Sequence, residues 1–216
     1  MGEVPPTHPR YASLMARKRL TDAAAAGMLA ESALIAHGRG EAFDYLLGER
    51  TCEAARKAVA EVAAILLSAE NPVISVNGNT VALAGPQLLT CAAILNCPVE
   101  VNIYYRTPER MEALLSALEL QREEALTLYP EFHQQISLVP ILGATPDGRI
   151  PNLDGPRANC HSDGILSADV ILVPLEDGDR CEALIAMGKT VCAIDLNPLS
   201  RTARKATITI VDELTR

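Results

Sequence analysis

From Asn71-Pro72 onward, short apolar runs rich in β-branched residues alternate with stretches of helical periodicity. This alternation favours a parallel sheet, because the crossover between two parallel strands is usually a helix. The runs contain few polar residues, which predicts that helices cover both faces of the sheet. The pattern therefore predicts an α/β fold with about six parallel strands, in the runs Val73–Val76, Val99–Tyr105, Ile136–Leu142, Val170–Pro174, Thr190–Leu196 and Thr207–Val211.

The residues before the first strand are helical in character. Thr21 and Thr51 are placed as N-caps, and the helix predicted after Thr51, Cys52–Ala69, is amphipathic. A chain of 216 residues lies within the size that one hydrophobic core supports. We therefore expect a single domain, with residues 1–70 as a helical N-terminal segment and residues 71–216 as the nucleotide-binding sheet. The apolar faces of the first helices exceed what one sheet covers, which prompts the hypothesis of a homodimer.

Charge, cysteine content and apolar stretches limit the partners of the chain. A formal charge of −8 argues against nucleic acid, because phosphate binding needs clustered Lys and Arg. The six cysteines lack the regular spacing of a disulfide framework, which favours a reduced interior. The N-terminus has no signal-peptide pattern, and charged residues interrupt the longest apolar stretches. We expect a cytoplasmic protein without a nucleic-acid or membrane partner.

The segment Gly143–Ser167 is rich in proline, glycine and aspartate and supports neither helix nor strand. It is predicted to be a long loop. Loops of this length in compact domains are usually functional lids or mobile segments, and the sequence leaves both possibilities open.

Two glycines bracket Arg39 in the run His37-Gly38-Arg39-Gly40, just before a helical stretch. Backbone amides and the guanidinium could converge there on an anion such as phosphate. A corner between two helices, with glycine at a C-cap, explains the pattern equally well. A dinucleotide fingerprint fits poorly, because Phe43 takes the place of the third glycine.

Polar residues also follow the first predicted strand, in the run Asn77-Gly78-Asn79. Ligands of open parallel sheets bind at the carboxyl ends of the strands, so Asn77 and Asn79 are placed to hold a polar substrate. Asn-Gly is also a common turn dipeptide, and the local pattern by itself favours that interpretation.

Charged residues crowd the end of a later strand. Asp179 and Glu182 have the spacing of a capping box, which explains them without a ligand. Glu176, Asp177 and Arg180 are not explained by capping, and they could hold Mg²⁺, ribose hydroxyls or a triphosphate. Their position at a strand end favours a functional role.

Asp195 ends another predicted strand, where an acidic residue can accept hydrogen bonds from ribose hydroxyls. Asn197, Ser200 and Arg201 follow it, and a solvated turn containing proline explains them equally well. The sequence contains no P-loop, nucleophile elbow or paired zinc-ligand spacing. We therefore predict no metal site built from protein ligands alone.

Five of these runs, in this order and spacing, resemble the archaeal phosphopantothenate synthetases, the 4-phosphopantoate–β-alanine ligases. The resemblance extends over essentially the whole chain. It is carried by Thr7–Tyr11 (THPRY), Leu34–Leu46 (LIAHGRGEAFDYL), Val76–Asn79 (VNGN), Pro174–Arg180 (PLEDGDR) and Ile194–Arg201 (IDLNPLSR).

The resemblance implies a dimeric, Rossmann-like enzyme of coenzyme A biosynthesis. Its members are expected to form a phosphopantoyl adenylate from ATP and 4-phosphopantoate, with release of pyrophosphate, after which β-alanine attacks the adenylate. Mg²⁺ is expected to bind together with the ATP. The alternatives are another ATP-dependent carboxylate ligase, a small-molecule kinase, and a regulatory dimer that senses nucleotides.

Site residues follow from the resemblance and from the motifs together. Catalytic roles are predicted for His37, Arg39 and Arg180. Nucleotide contacts are predicted for Arg17, Arg39, Asp179, Arg180, Glu182, Asp195, Asn197, Ser200 and Arg201. The motifs by themselves, independently of the resemblance, predict that His37, Asn77 and Asn79 contact 4-phosphopantoate.

Overall fold

The computed structural model describes residues 4–175 and 177–216. Three helices come first, and every strand follows them. The helices are α1 (Tyr11–Ala25), α2 (Glu31–Leu46), α3 (Glu53–Ser68), α4 (Gly78–Leu95), α5 (Pro108–Leu128), α6 (His133–Leu138), α7 (Gly178–Ala186) and α8 (Arg201–Lys205). The strands are β1 (Pro72–Val76), β2 (Val99–Val101), β3 (Ile141–Leu142), β4 (Gly148–Arg149), β5 (Asn159–Cys160), β6 (Val170–Pro174), β7 (Thr190–Ile194) and β8 (Ile208–Ile210).

The main sheet has six strands in the order β3-β2-β1-β6-β7-β8, and all of its pairs are parallel. The chain builds outward from β1 to β3, then crosses back and builds outward again from β6 to β8. This is the strand order of a Rossmann fold, and the direction of winding reverses between β1 and β6. The predicted α/β fold with a parallel sheet flanked by helices is confirmed.

Side chains of the central strands alternate between two cores. In β1, Ile74 and Val76 point into a core shared with α3, α4 and α5, whereas Val73 points into a core on the opposite face. The second core contains Leu184 of α7 and Ile165, which lies between β5 and β6. Each fully buried aliphatic side chain contributes roughly 1.5–3 kcal/mol to stability. Both faces of the sheet are therefore covered, as the apolar strands predict.

Two predicted helix caps are wrong. Thr21 lies inside α1, and its hydroxyl donates a hydrogen bond to the carbonyl of Lys18 at 2.8 Å. The Ala-rich sequence has no residue that stops the helix there, so propensity carries the helix through Thr21. The N-cap of α3 is Cys52 rather than Thr51, and its sulfur accepts a hydrogen bond from the amide of Ala55 at 3.4 Å.

The run Ile136–Leu142, predicted to be one strand, is divided between two elements. Helix α6 takes its first part, and only Ile141–Leu142 pairs with β2. Ile136 is fully buried from the helix. A short apolar run fits a buried helix as well as a strand, and here the packing against α4 and α5 decided the outcome.

Helix α4 is strongly apolar. Among the described residues it is the one helix long and apolar enough, by length and composition alone, to cross a bilayer. Two thirds of it (67%) is buried inside the protein, and a core helix passes the same test. The helix kinks at Ala84, just before Pro86.

The segment Gly143–Ser167 is not an open loop. It forms the two-stranded antiparallel ladder of β4 and β5 and packs fully buried side chains, among them Ile150, against the sheet. Glu100 of β2 holds it through backbone amides, with Oε1 accepting from His161 at 3.0 Å and Oε2 from Ile165 at 2.7 Å. Scattered apolar residues, which the proline and glycine content obscured, give this segment its core.

Candidate functional site

A cleft of about 580 Å³ lies at the carboxyl edge of the main sheet. The ends of β1, β2, β6 and β7 contribute residues to it, and α2 with the turn before it contributes the facing wall. The cleft spans the point where the winding of the sheet reverses, which is where Rossmann folds bind ligands. Its volume is typical of small-molecule sites.

Asn77 organises the centre of the cleft. Its Oδ1 accepts a hydrogen bond from the amide of Thr80 at 3.1 Å and so caps α4, while its Nδ2 donates to the carbonyl of Leu175 at 2.9 Å. The side chain thereby ties the end of β1 to the end of β6. Asn79 in the first turn of α4 is only 8% exposed and also lines the cleft. The N-terminus of α4, with its partial positive charge, therefore faces the cleft.

The end of β7 forms a folded polar turn. Oδ1 of Asp195 accepts from the amide of Asn197 at 2.9 Å, and Oδ2 accepts from the hydroxyl of Ser200 at 2.5 Å. Burial raises the pKa of Asp195 above its usual value, although both hydrogen bonds oppose the shift. Each carboxylate oxygen retains a further acceptor position. Asp195, Asn197, Ser200 and Arg201 all line the cleft.

The wall formed by α2 differs from the prediction. His37-Gly38-Arg39-Gly40 lies inside one uninterrupted helix, so its amides bond within the helix, and the run forms neither an anion-binding loop nor a corner between two helices. Gly40 instead permits close packing, because a Cβ there would lie 2.9 Å from the Cβ of Leu196. The glycine therefore brings α2 against the end of β7.

Arg39 and His37 both line the cleft from α2. The side chain of Arg39 is exposed and forms no hydrogen bond or ion pair with the described residues. The Nδ1 atom of His37 is buried and has no hydrogen-bond partner within residues 4–175 and 177–216. Burial lowers the pKa of His37, and the negative charge of Glu41 opposes this shift. Among the described residues, α2 thus presents to the cleft a cation without an ion-pair partner and a neutral imidazole.

Some predicted nucleotide-binding residues do not line this cleft: Arg17, Asp179, Arg180 and Glu182. Arg17 pairs with Glu41, with 2.7 Å between Nε and Oε1. Arg180 is 1% exposed, and its Nη2 donates to the hydroxyl of Ser75 in β1 at 2.9 Å. These side chains do not line the cleft with Arg39, and their roles in nucleotide binding stay predictions.

The capping box predicted at the start of α7 is wrong. Asp177 is the N-cap, and its Oδ1 accepts from the amide of Asp179 at 3.0 Å. Asp179 and Glu182 pair with cations of α8 instead, because the two helices pack side by side. Glu182 bonds Arg201 at 2.5 Å and Lys205 at 2.9 Å. Glu176, assigned to the same cluster, lies outside the described residues.

Glu182→Gln is expected to lower the midpoint of thermal unfolding slightly at neutral pH. Hydrogen bonds from Lys205 and Arg201 lower the pKa of Glu182 from 4.5 to about 2. A lowered carboxyl pKa means that the pairing stabilises the protein above pH 4.5 and that this contribution disappears as the pH falls towards 2. The difference in midpoint between the two proteins, measured by calorimetry across this range, should shrink to zero. A difference independent of pH contradicts the assignment.

Several residues that line the cleft were not predicted. Tyr104 and Tyr105 follow β2, and their ring centroids are 5.0 Å apart. The rule that ligands bind at the carboxyl ends of parallel strands could have identified both residues from the sequence. Arg110 is held by its Nη1, which donates to the carbonyl of Tyr105 at 2.9 Å. Arg157 comes from the segment predicted to be irregular, and Asn102 positions it by donating to its carbonyl at 3.1 Å. No sequence signal pointed to Arg157.

Comparison with known proteins identifies the family. The family model for phosphopantothenate/pantothenate synthetase matches residues 54–216. The 4-phosphopantoate–β-alanine ligase of Thermococcus onnurineus is 50% identical over 216 residues, which is 100% of this chain and 77% of that protein. The enzymes of the same name from Methanospirillum hungatei and Methanosarcina mazei are 49% and 47% identical, over 99% and 100% of this chain and 81% and 79% of their own lengths. The chain belongs to the phosphopantothenate/pantothenate synthetase family.

Proposed function

We propose that this protein is a ligase that joins 4-phosphopantoate to β-alanine in coenzyme A biosynthesis, consuming ATP and releasing AMP and pyrophosphate. The observation that carries the proposal is the identity of about 50% with ligases of that name over the full chain. The cleft at the switch point of the sheet supports it, because a ligase of this kind needs one cavity that admits two small anions.

The chemistry explains why cations must line the site. Joining a carboxylate to an amine is unfavourable in water, so the carboxylate is first activated as an acyl adenylate. Its attack on the α-phosphate of ATP brings two anions together, and positively charged groups fixed in advance lower that barrier. Arg39, Arg110 and the N-terminus of α4 supply positive charge in the cleft. Holding both substrates there contributes the rest through proximity.

In this proposal the nucleotide lies at the β7 end of the cleft. Asp195 accepts hydrogen bonds from ribose hydroxyls, while Asn197, Ser200 and Arg201 contact the phosphates. Arg201 is also paired with Asp179, so nucleotide binding competes with that ion pair. His37, Asn77 and Asn79, which are predicted to contact 4-phosphopantoate, line the same cleft.

Mg²⁺ accompanies the ATP in this proposal. Protein sites for Mg²⁺ often use one or two carboxylates together with substrate phosphates. The part of the chain that the structure describes contains no group of three or more metal-binding side chains. Asp177 lines the cleft and fits as a single carboxylate ligand, since only its Oδ1 is engaged in capping α7. Most of the ligands would then be phosphate oxygens and water.

Product analysis tests the function. The purified protein is incubated with ATP, 4-phosphopantoate and β-alanine, and each substrate is omitted in turn. Turnover that yields AMP, pyrophosphate and 4′-phosphopantothenate in excess of the amount of enzyme is expected only in the complete mixture. Formation of ADP indicates a kinase or an ADP-forming ligase, and no consumption of ATP in the complete mixture favours a nucleotide-sensing regulator.

We also propose that the protein is a homodimer, with α2 in the interface. Apolar side chains cluster on the outer face and end of α2, where Ile35, Tyr45 and Leu46 are 68%, 62% and 81% exposed. Exposed apolar patches of this kind mark interaction surfaces. Leu46→Asp is expected to shift the solution mass, measured by light scattering, from dimer to monomer. The matched change Leu128→Asp, at an exposed position of α5, should leave the mass unchanged, and a monomeric wild type contradicts the proposal.

A further inference from the structure

Helix α4 consists of two halves that meet at a kink. Ala84 has non-helical backbone angles, and Pro86 lacks the amide hydrogen that would continue the ladder of helical hydrogen bonds. The first half, residues 78–83, begins at the cleft, whereas the second half, residues 86–95, packs into the core shared with α3 and α5. Because the helical hydrogen bonds across the kink are incomplete, other contacts are needed to fix the direction of the first half.

The start of the first half is packed between other walls of the cleft. Asn79 lines the cleft, and its Nδ2 donates to the carbonyl of Ala33 in α2 at 3.4 Å. A Cβ at Gly78 would lie 2.6 Å from the carbonyl oxygen of Met28, so the first turn of α4 contacts the chain between α1 and α2. A change in the direction of the first half would therefore move Asn79 and the N-cap residue Asn77 relative to the rest of the cleft.

Gln121 of α5 contacts the first half just before the kink. Its Nε2 donates to the carbonyl of Val81 at 2.8 Å. The amide of Val81 in turn donates to the carbonyl of Asn77 at 2.9 Å, and Nδ2 of Asn77 donates to the carbonyl of Leu175. A continuous chain of hydrogen bonds thus runs from α5 through one turn of α4 to the centre of the cleft. Gln121 itself does not line the cleft.

A second side chain contacts the same end of the first half. Nη1 of Arg19 in α1 donates to the carbonyl of Leu83 at 3.1 Å. Arg19 is exposed, so water competes for its guanidinium, whereas Gln121 is half-buried. Gln121 is therefore the stronger of these two supports.

Gly85 at the kink makes the contact with Gln121 possible. A Cβ at Gly85 would overlap Oε1 and Cδ of Gln121, so a larger residue at this position would displace the amide group. Glycine in the interior of a helix is destabilising relative to alanine. The side chain of Gln121, rather than the stability of α4, therefore explains the glycine.

The amide group of Gln121 contributes little to stability. Its nitrogen makes one hydrogen bond with the described residues, and the net contribution of such a bond is small because both groups bond water in the unfolded chain. Its Oε1 is buried and has no hydrogen-bond partner within residues 4–175 and 177–216. A buried acceptor without a donor costs at least as much as one hydrogen bond contributes. The amide group therefore fixes geometry rather than adding stability.

We propose that Gln121 is a positioning residue for 4-phosphopantoate. By holding the carbonyl of Val81, it fixes the direction of the first half of α4 and so places Asn77 and Asn79 for this substrate. The proposal rests on the proposed ligase function and adds to it a residue outside the cleft. The nucleotide is proposed to bind at the turn of Asp195, which Gln121 does not contact. Loss of the amide group should therefore affect one substrate and spare the other.

Gln121→Met tests the selective effect, because methionine has a similar length but no hydrogen-bond donor. KM for 4-phosphopantoate should rise about tenfold, since a displacement of about 1 Å caused far from the chemistry can cost about 10²-fold. KM for ATP should stay within about twofold of wild type. A purely structural role would lower the amount of active enzyme without changing one KM alone. Gln87→Met, at an exposed position in the second half of α4, is the control and should change neither value. An unchanged KM for 4-phosphopantoate, or an equal rise in both values, overturns the proposal.

Gly85→Ala tests the contact from the other side. Its Cβ displaces the amide of Gln121, so KM for 4-phosphopantoate should rise as it does in Gln121→Ala. In the double variant the two increases should not multiply, because both changes break the same contact. Multiplied increases contradict the proposal.

Hydrogen exchange followed by mass spectrometry tests the support of α4 without an assay of activity. In Gln121→Met the amides of residues 78–83 should exchange faster than in wild type, while those of residues 86–95 should exchange at the wild-type rate. The unchanged second half also reports that the variant is folded. Unchanged exchange in residues 78–83 overturns the proposal. If the wild-type protein forms no 4′-phosphopantothenate, the ligase function is refuted, and hydrogen exchange alone then decides whether Gln121 holds α4.

Discussion

Arg39→Ala is expected to lower the exchange of pyrophosphate into ATP by about 10²–10³-fold while leaving thermal unfolding unchanged. Removal of one fixed group that stabilises developing charge in a transition state typically has an effect of this size. Arg39 lines the cleft and bonds none of the described residues, so its loss should leave no unpaired partner in the protein. The charge of this side chain is available to the substrates rather than to the fold.

A matched control separates this effect from a general loss of positive charge. Arg50→Ala removes an exposed arginine outside the cleft and should leave exchange unchanged. Arg39→Lys should recover part of the activity, because lysine restores the charge but not the planar set of donors. Exchange near the wild-type rate in Arg39→Ala would refute the assigned role.

Glu100→Leu should lower the free energy of unfolding by about 3–5 kcal/mol. Leucine cannot accept hydrogen bonds from the amides of His161 and Ile165, and two buried donors lose their partner. The positive charge of Arg180 also loses a nearby carboxylate. Equilibrium unfolding in urea measures the change.

The same substitution should reduce activity through the segment that Glu100 holds. That segment carries Arg157 into the cleft, so its displacement removes a lining residue. Glu100→Gln retains one acceptor oxygen and should lose less stability, while Glu112→Leu on the exposed surface of α5 controls for the added leucine. If Glu100→Leu and wild type unfold at the same urea concentration, the carboxylate does not anchor the segment.

The sequence determined the class of fold because the strand pattern is local. Runs such as Val170–Pro174 are apolar on both faces, and only a parallel sheet covered by helices buries them. Once the strands were located, Asn77, Asp195 and Asn197 could be assigned to one edge, since parallel strands all end on the same side. The cleft therefore contains these residues as predicted, and Tyr104 could have been found by the same rule.

Only the tertiary structure decided where the other charged side chains lie. Arg180 follows a strand as Asp195 does, yet the rotation of α7 directs its side chain to Ser75 in the interior. The two glycines of α2 predict either an anion-binding turn or a corner between two helices, because the sequence does not reveal that Leu196 approaches Gly40. The position of Arg157 depends on a contact with Asn102, which lies far away in the chain. Periodicity records which face of an element is buried, whereas a binding site depends on contacts between elements that no local pattern encodes.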